Sequence, residues 1–210
     1  MNRSFGCSFA LMDSSFRAAL PYFGSTLLWA EGMTAGGFAF RQNEHYQRRT
    51  QRNRTVIANS HGRQTLSIPL LGGKHQSCPI TEVKVSYAED WRRQHWLSIQ
   101  AAYGSAPFYL AFEDELQDLF SRKPETLWEW NWGIIEWAKS IVAPKLVLAK
   151  ADEWLPEIDK HKVVLTAVDD LEQYPQVFTE RTGWLSNLSI LDLIMCQGTA
   201  AAQSLRLTKA

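Results

Sequence analysis

Short β-branched runs in the first half of the chain and long apolar helical stripes in the second predict a mixed α/β or α+β protein. A small sheet from the N-terminal half is packed by helices, and the C-terminal half is rich in helix. Three observations carry this reading. Residues 55–58 (Thr-Val-Ile-Ala) and 65–68 (Thr-Leu-Ser-Ile) flank the turn signal Asn59-Ser60-His61-Gly62, a β-hairpin pattern. Trp91, Trp96, Ile99 and Tyr103 fall on one helical stripe. Pro124 and Pro144 bracket a further long helical segment.

In chain order, residues 1–19 read as a loose leader and 20–210 as one domain, with 150–210 as a candidate appendage to it. Residues 20–25 (Leu-Pro-Tyr-Phe-Gly-Ser) form a loop that opens a helix over 26–33, which ends near Gly32 and Gly36-Gly37. Phe38-Ala39-Phe40 is a strand. Residues 41–54 are polar on every face and make a poor core helix. The hairpin follows, and then 80–86, whose apolar–polar alternation predicts a strand with one face in water. Asp90 caps a helix from Trp91 to about Tyr103. A second helix runs over 108–120, and a third over 125–142 with Pro124 just inside its start. Residues 146–149 and 163–166 are strands. Ser186 or Asn187 caps a helix over 188–196 that Gly198 closes, and a short helix covers 199–205.

The chain has 210 residues, with 22 basic and 22 acidic side chains, so whole-protein charge makes no case for a nucleic-acid binder or a polybasic membrane protein. Its 45% hydrophobic and 21% charged content excludes a disordered or collagen-like chain. No convincing signal peptide and no spanning run of apolar residues is found. The economical expectation is a cytoplasmic protein, with peripheral contact with a membrane surface left open. Cys7, Cys78 and Cys196 fit neither a disulfide framework nor a zinc spacing.

The neutral total hides a local asymmetry. Residues 41–54 hold five arginines (41, 48, 49, 52 and 54) against Glu44, while 113–136 hold seven acids against Arg122 and Lys123. Unpaired guanidiniums are costly to bury. The arginines are therefore solvated, paired with acids such as Glu113, Asp114 or Glu115, or turned toward an anionic ligand. The planar fork of arginine matches phosphate or carboxylate bidentately, and the segment contains no lysine.

His95 sits between two indoles in Trp91-Arg92-Arg93-Gln94-His95-Trp96, on Trp91's face at i+4. It is a candidate acid or base, against the blander reading of a buried structural histidine. Trp128, Trp130, Trp132 and Trp137 are read as a helix packed on two sides rather than a stacking platform. Rossmann, P-loop, nucleophile-elbow and zinc-protease motifs are absent, so no metal and no cofactor is expected.

Several segments, in order, resemble the WbqC-like family. These are Leu20-Pro-Tyr-Phe-Gly-Ser; the stretch from Glu44 to Arg54 ending in Arg52-Asn53-Arg54; Leu66-Ser-Ile-Pro69; Trp91 to Ile99 with Ala102-Tyr103 and Ala106-Pro107-Phe108; and Tyr174-Pro-Gln-Val-Phe178 with Gly183 to Leu193. Arg48-Arg49 stands where the family has a Lys-Gln-like pair, and Gln51 where an aromatic is usual. The resemblance implies association with bacterial O-antigen and surface-polysaccharide loci, and transfer of glycine or another aminoacyl group to a sugar. On that basis the expected function is a cytoplasmic transferase acting on an anionic, nucleotide-linked or otherwise activated small molecule. Arg48, Arg52 and Arg54 would hold the anion, Asn53 would orient a carbonyl or hydroxyl, and His45 or Tyr46 would contact the substrate. His95 would be the general base, with Trp96 and Tyr103 completing the binding set. The alternative is a non-catalytic binding or scaffold protein whose 41–54 segment docks an acidic partner or RNA; no stable nucleic-acid complex is expected under the first reading.

Overall fold

The computed structural model describes residues 16–72, 78–151 and 171–206. It is a mixed α/β structure, as the sequence predicts, with its small sheets drawn mainly from the N-terminal half. Strands β1 (Phe16–Ala18), β2 (Gly37–Arg41) and β5 (Val147–Ala151) form a three-stranded parallel sheet with β2 in the middle. Strands β3 (Arg54–Asn59) and β4 (Gly62–Ser67) form an antiparallel hairpin. The helices are α1 (Thr26–Thr34), α2 (Trp91–Tyr103), α3 (Tyr109–Ser121), α4 (Leu127–Val142), α5 (Thr179–Thr182), α6 (Ile190–Gln197) and α7 (Ala201–Ser204).

β1, α1 and β2 make a parallel β-α-β unit, the part of the fold that positions the site. Ser25 begins α1 with an extended backbone, and its hydroxyl accepts from Leu28 N at 3.4 Å. α1 lies tight on β2 because Gly32 has no side chain: a Cβ there would sit 2.1 Å from Phe38 Cζ. Phe38 packs edge-on against Trp29 at 5.4 Å and stacks on Phe40 at 5.2 Å. The segment expected as leader lies outside the described residues through residue 15. Its last residues are β1, whose three-residue length gave no usable alternation.

The hairpin forms as the turn signal predicts, with Asn59 paired to Gly62 across Ser60-His61. Asn59 Oδ1 accepts from His61 N at 2.8 Å, and Gly62 takes a φ of +113°. The strand expected over 80–86 is not one. Residues Ile80–Glu82 form a 3-10 turn, and the rest makes single bridges, Val85 to Leu70 and Lys84 to Thr126. The alternation is real, since Val83 and Val85 are buried. It arises because the segment threads between the chain after β4 and the start of α4: Leu71 N donates to Lys84 O at 2.9 Å and Val85 N to Glu125 O at 3.0 Å.

Asp90 caps α2 as expected. α4 starts two residues later than predicted, and Pro124 lies outside it. Thr126 and Glu129 form a reciprocal capping box that sets the boundary at Leu127. α4 is buried on several sides: Trp130 meets Trp91 at 5.1 Å and Phe120 at 5.4 Å, and Trp128 stacks on Trp132 at 6.0 Å. The tryptophan series is thus packing, as read from its spacing. α6 is capped by Ser189, not by Ser186 or Asn187. The strand expected over 163–166 lies outside the described residues. No described helix is long and apolar enough to cross a membrane.

Candidate functional site

The loops that follow β1 and β2 both leave the carboxyl edge of the parallel sheet, the edge where open α/β sheets bind ligands. The first loop is 19–25 and the second is the arginine segment, 42–53. They are joined by Tyr22 N donating to Gln51 O at 2.8 Å and Ser25 N donating to Gln51 Oε1 at 3.3 Å. A third segment, 187–189, comes from far along the chain. Asn187 Oδ1 accepts from Leu27 N at 3.1 Å, Thr26 N donates to Leu188 O at 2.9 Å, and Ser189 N donates to Val56 O at 2.8 Å. These bonds stitch the N-termini of α1 and α6 to each other and to the hairpin.

Between the three segments and the hairpin lies a cleft of about 330 Å³. It is lined by Arg54 and Val56 of β3, Thr65 of β4, Arg49 and Gln51 of the arginine segment, Tyr22 and Ser25 of the first loop, and Asn187 and Ser189 of the third segment. Its described lining contains two guanidiniums and no carboxylate. Arg54 is half-buried with a buried Nε that has no hydrogen-bond partner, and Arg49 is exposed. The non-glycine residues with positive φ among those described are Phe23 (61°), Arg49 (57°) and Asn187 (49°). One falls in each of the three loops around this cleft. Backbone in this region is strained, most of all for a bulky residue such as Phe23, and such strain concentrates at binding and catalytic sites.

The sequence-predicted residues divide into those that meet here and those that do not. Arg54 lines the cleft. Arg52 does not reach into it: its guanidinium is buried and bound bidentately to Glu44 at 2.9 and 2.8 Å. The pairing partner is therefore within the motif, and the acidic helix is engaged elsewhere, with Glu113 accepting from Tyr109 at 2.9 Å and Glu115 from Trp137 at 2.8 Å. Arg48 is exposed and outside the lining. Asn53 is buried; its side-chain Nδ2 donates to Ile68 O at 3.2 Å and its backbone carbonyl accepts from Ile68 N at 2.8 Å, so it extends the hairpin ladder.

Tyr46 is buried beside the motif; burial raises its phenol pKa, and the charges of Arg48, Arg52 and Arg54 pull it back. His45 is exposed and bridges to Pro79. Trp96 lies away from the cleft, packed against Tyr109 and Phe120 at 6.5 and 6.3 Å. Tyr103 is fully buried and bonds Asp192 behind the hairpin.

His95 is 5% exposed and stands directly behind Tyr22. Its Nδ1 lies 3.0 Å from the Tyr22 hydroxyl, and the two rings stack at 5.8 Å. Burial lowers its pKa to about 4, against a smaller upward effect of its bond to the Ser67 backbone. The imidazole is thus neutral at pH 7, and its link to the cleft runs through Tyr22.

Sequence reasoning missed Gln51, Ser25, Asn187 and Ser189 as cleft residues, and Asn131 as the support beneath them. Asn131, on α4, is 1% exposed and donates to Leu20 O at 3.2 Å and to Arg52 O at 2.7 Å. A buried asparagine inside a tryptophan-rich helix was the available signal.

No curated protein and no solved structure matches the sequence. A family model does, over residues 19–168, which takes in the first loop, the arginine segment, the hairpin and α2 to α4; the 187–189 segment lies outside the match. With more than half of its length matched, and with the motifs in the order described, the chain belongs to the WbqC-like protein family.

Proposed function

We propose that this protein is a transferase of bacterial surface-polysaccharide assembly, binding an anionic activated small molecule in the cleft between β3 and the turn at residues 49–51. Aminoacyl or glycine transfer to a sugar is the reaction class that the family resemblance brings to it. The observation that carries the reading is Arg54, half-buried, with an unpartnered Nε, on the wall of a cleft whose described lining holds a second guanidinium and no acid. An ionised ligand there gains charge-assisted hydrogen bonds that solvent would otherwise supply. Arg52 serves differently. Locked to Glu44, it holds the shape of the segment that leads into Arg54. His95 acts as a positioning residue, fixing Tyr22 in the cleft wall as a neutral hydrogen-bond acceptor.

The test is a thermal-shift and calorimetric screen of nucleotides, nucleotide sugars and aminoacyl adenylate analogues on the wild type and two variants. The expected outcome is a saturable ligand whose affinity falls about tenfold or more in Arg54→Ala with the melting temperature preserved. Arg52→Ala should instead lose roughly 3 kcal/mol of stability, because it leaves the buried Glu44 with the more distant Arg41, at 3.7 Å, in place of its bidentate partner. If Arg54→Ala leaves every ligand's affinity unchanged, the anion site is elsewhere. If instead the wild type retains RNA with a steep salt dependence and binds no small anion, a polyanion-docking function replaces the transferase.

A further inference from the structure

Four polar side chains lining the Arg54 cleft have their oxygens already engaged. Gln51 Oε1 accepts from Ser25 N at 3.3 Å, and Asn187 Oδ1 accepts from Leu27 N at 3.1 Å. Ser25 Oγ accepts from Leu28 N at 3.4 Å, and Ser189 Oγ accepts from Leu191 N at 3.2 Å. These bonds set both amide orientations, because only the oxygen end can meet a backbone N–H. What each of the four keeps for the cleft is a donor. Gln51 Nε2, Asn187 Nδ2 and the two hydroxyl hydrogens have no partner among the described residues. A hydroxyl that accepts one hydrogen bond is also polarised into a stronger donor of the next.

The backbone offers a ligand much less. The N–H groups at the start of α1 are engaged by Leu188 O, Asn187 Oδ1 and Ser25 Oγ, and those of α6 by Gly24 O, Ser189 Oγ and Ser189 O. The two helices bring their N-termini together, joined by the bridge between Ser25 and Ser189, with these groups already capped. A ligand is therefore met by the capping side chains and by the guanidiniums of Arg49 and Arg54, with no carboxylate among the described lining residues. The hydroxyls of Thr55 and Thr65 turn either way and follow the ligand. A carboxylate or a lone phosphate has too few acceptor oxygens to meet donors from every side of this cleft. A diphosphate has enough, and it carries charge for both guanidiniums to balance.

We propose that the cleft takes a diphosphate ester and that Gln51 and Asn187 are its selectivity residues, each holding a backbone N–H on its oxygen and a ligand oxygen on its nitrogen. This rests on the reading of the Arg54 cleft as an anion site. It narrows the ligand from any activated anion to one with a diphosphate linkage.

Gln51→Glu and Asn187→Asp isolate the donors. Each keeps the oxygen that holds the backbone N–H and replaces only the NH2 group by a second oxygen. An aspartate side chain tolerates the left-handed backbone at 187, where φ is +49°, and a carboxylate beside the start of α1 favours the helix. Both variants should therefore melt no lower than the wild type. Gln47→Glu, exposed and outside the lining, adds the same charge and sets the background. Pyrophosphate, inorganic phosphate and malonate are titrated calorimetrically into the full chain. The expected result is pyrophosphate tighter than the other two by about tenfold or more. Both donor variants and Arg54→Ala should weaken it by about tenfold beyond the Gln47→Glu background. UDP and geranyl diphosphate distinguish a nucleotide ester from a lipid one. An ester at least as tight as free pyrophosphate supports the proposal and names its source, and two weaker esters overturn it. Phosphate or malonate binding as tightly as pyrophosphate overturns it, whatever the variants do. Pyrophosphate binding lost in Arg54→Ala, with both donor variants behaving like Gln47→Glu, overturns it and leaves the proposed function standing. Pyrophosphate binding that Arg54→Ala does not change, or no binding of any anion, overturns both.

Discussion

Arg52 and Arg54 are two positions apart and have opposite employments. Arg52 and Asn53 lie in the turn before β3, which starts at Arg54, so Arg52 and Arg54 are not held to one strand face. Arg52 goes to Glu44 and Arg54 to the cleft. Arg49 carries a separate signature. It is exposed, it lines the cleft, and its φ is +57°, a conformation that glycine adopts without steric penalty. A residue kept at that position against its own backbone preference is kept for its side chain. Arg49→Gly should therefore leave stability unchanged or raise it by up to about 1 kcal/mol, the strain relieved being partly offset by the greater freedom of glycine in the unfolded chain. Ligand affinity should fall about tenfold in the same variant. Denaturant unfolding and a binding titration on one preparation check both. A loss of stability in step with affinity would make Arg49 a structural residue.

At the scale of elements, the contact between α1 and β2 decides where the first loop can lie. Gly32 is the poorest helix former in α1, and alanine there gains about 1 kcal/mol of helix propensity. The added Cβ would meet Phe38 ring carbons at 2.1 and 2.2 Å, and Phe38 is itself wedged among Trp29, Phe16 and Phe40. Overpacking of this kind costs about 1–3 kcal/mol, so the steric effect wins. Gly32→Ala should be net destabilising by up to about 2 kcal/mol and should weaken anion binding, because α1 carries Ser25 and the loop before it. Chemical denaturation checks the sign. A stabilised variant would mean that the ring simply yields.

The same scale explains what could be read in advance. The hairpin and α2 were legible because turn chemistry, capping and periodicity are local. The bridged segment at 80–86 was misread because two single bridges bury alternate valines as well as a ladder does. Arg54 was legible as charge. Asn187 and Ser189 were not, because their role comes from hydrogen bonds to Leu27 and Val56 across more than a hundred residues of chain.

Across the whole molecule, two buried titratable groups oppose each other in their response to pH. His95 is held neutral, with its pKa lowered from 6.5 to about 4 by burial. Asp192 is fully buried behind the hairpin, bonded by Tyr174 at 2.7 Å and by Tyr103 and Gln176, and burial outweighs those bonds and raises its pKa from 3.8 to about 6. The unfolded state binds the histidine proton more tightly than the native state does. The stability His95 contributes is therefore present above about pH 6.5 and is lost as pH falls toward 4, in all roughly 3 kcal/mol. The native state binds the Asp192 proton more tightly than the unfolded state does. Its contribution is present below about pH 4 and is lost as pH rises toward 6, again roughly 3 kcal/mol. The two windows nearly coincide and the signs are opposite, so in the wild type the two effects largely cancel. The variants should separate them, because the two groups share no hydrogen-bond partner. Relative to wild type, Asp192→Asn should lose stability on acidification from pH 6.5 to 4, and His95→Gln should gain it. Exposed carboxylates such as Glu125 act equally in all three proteins and drop out of the comparison. Urea midpoints at five pH values, with slopes held to a common m-value, measure the difference. Parallel pH profiles for the three proteins would mean that neither group keeps its native burial in solution, and would remove His95 from its place behind Tyr22.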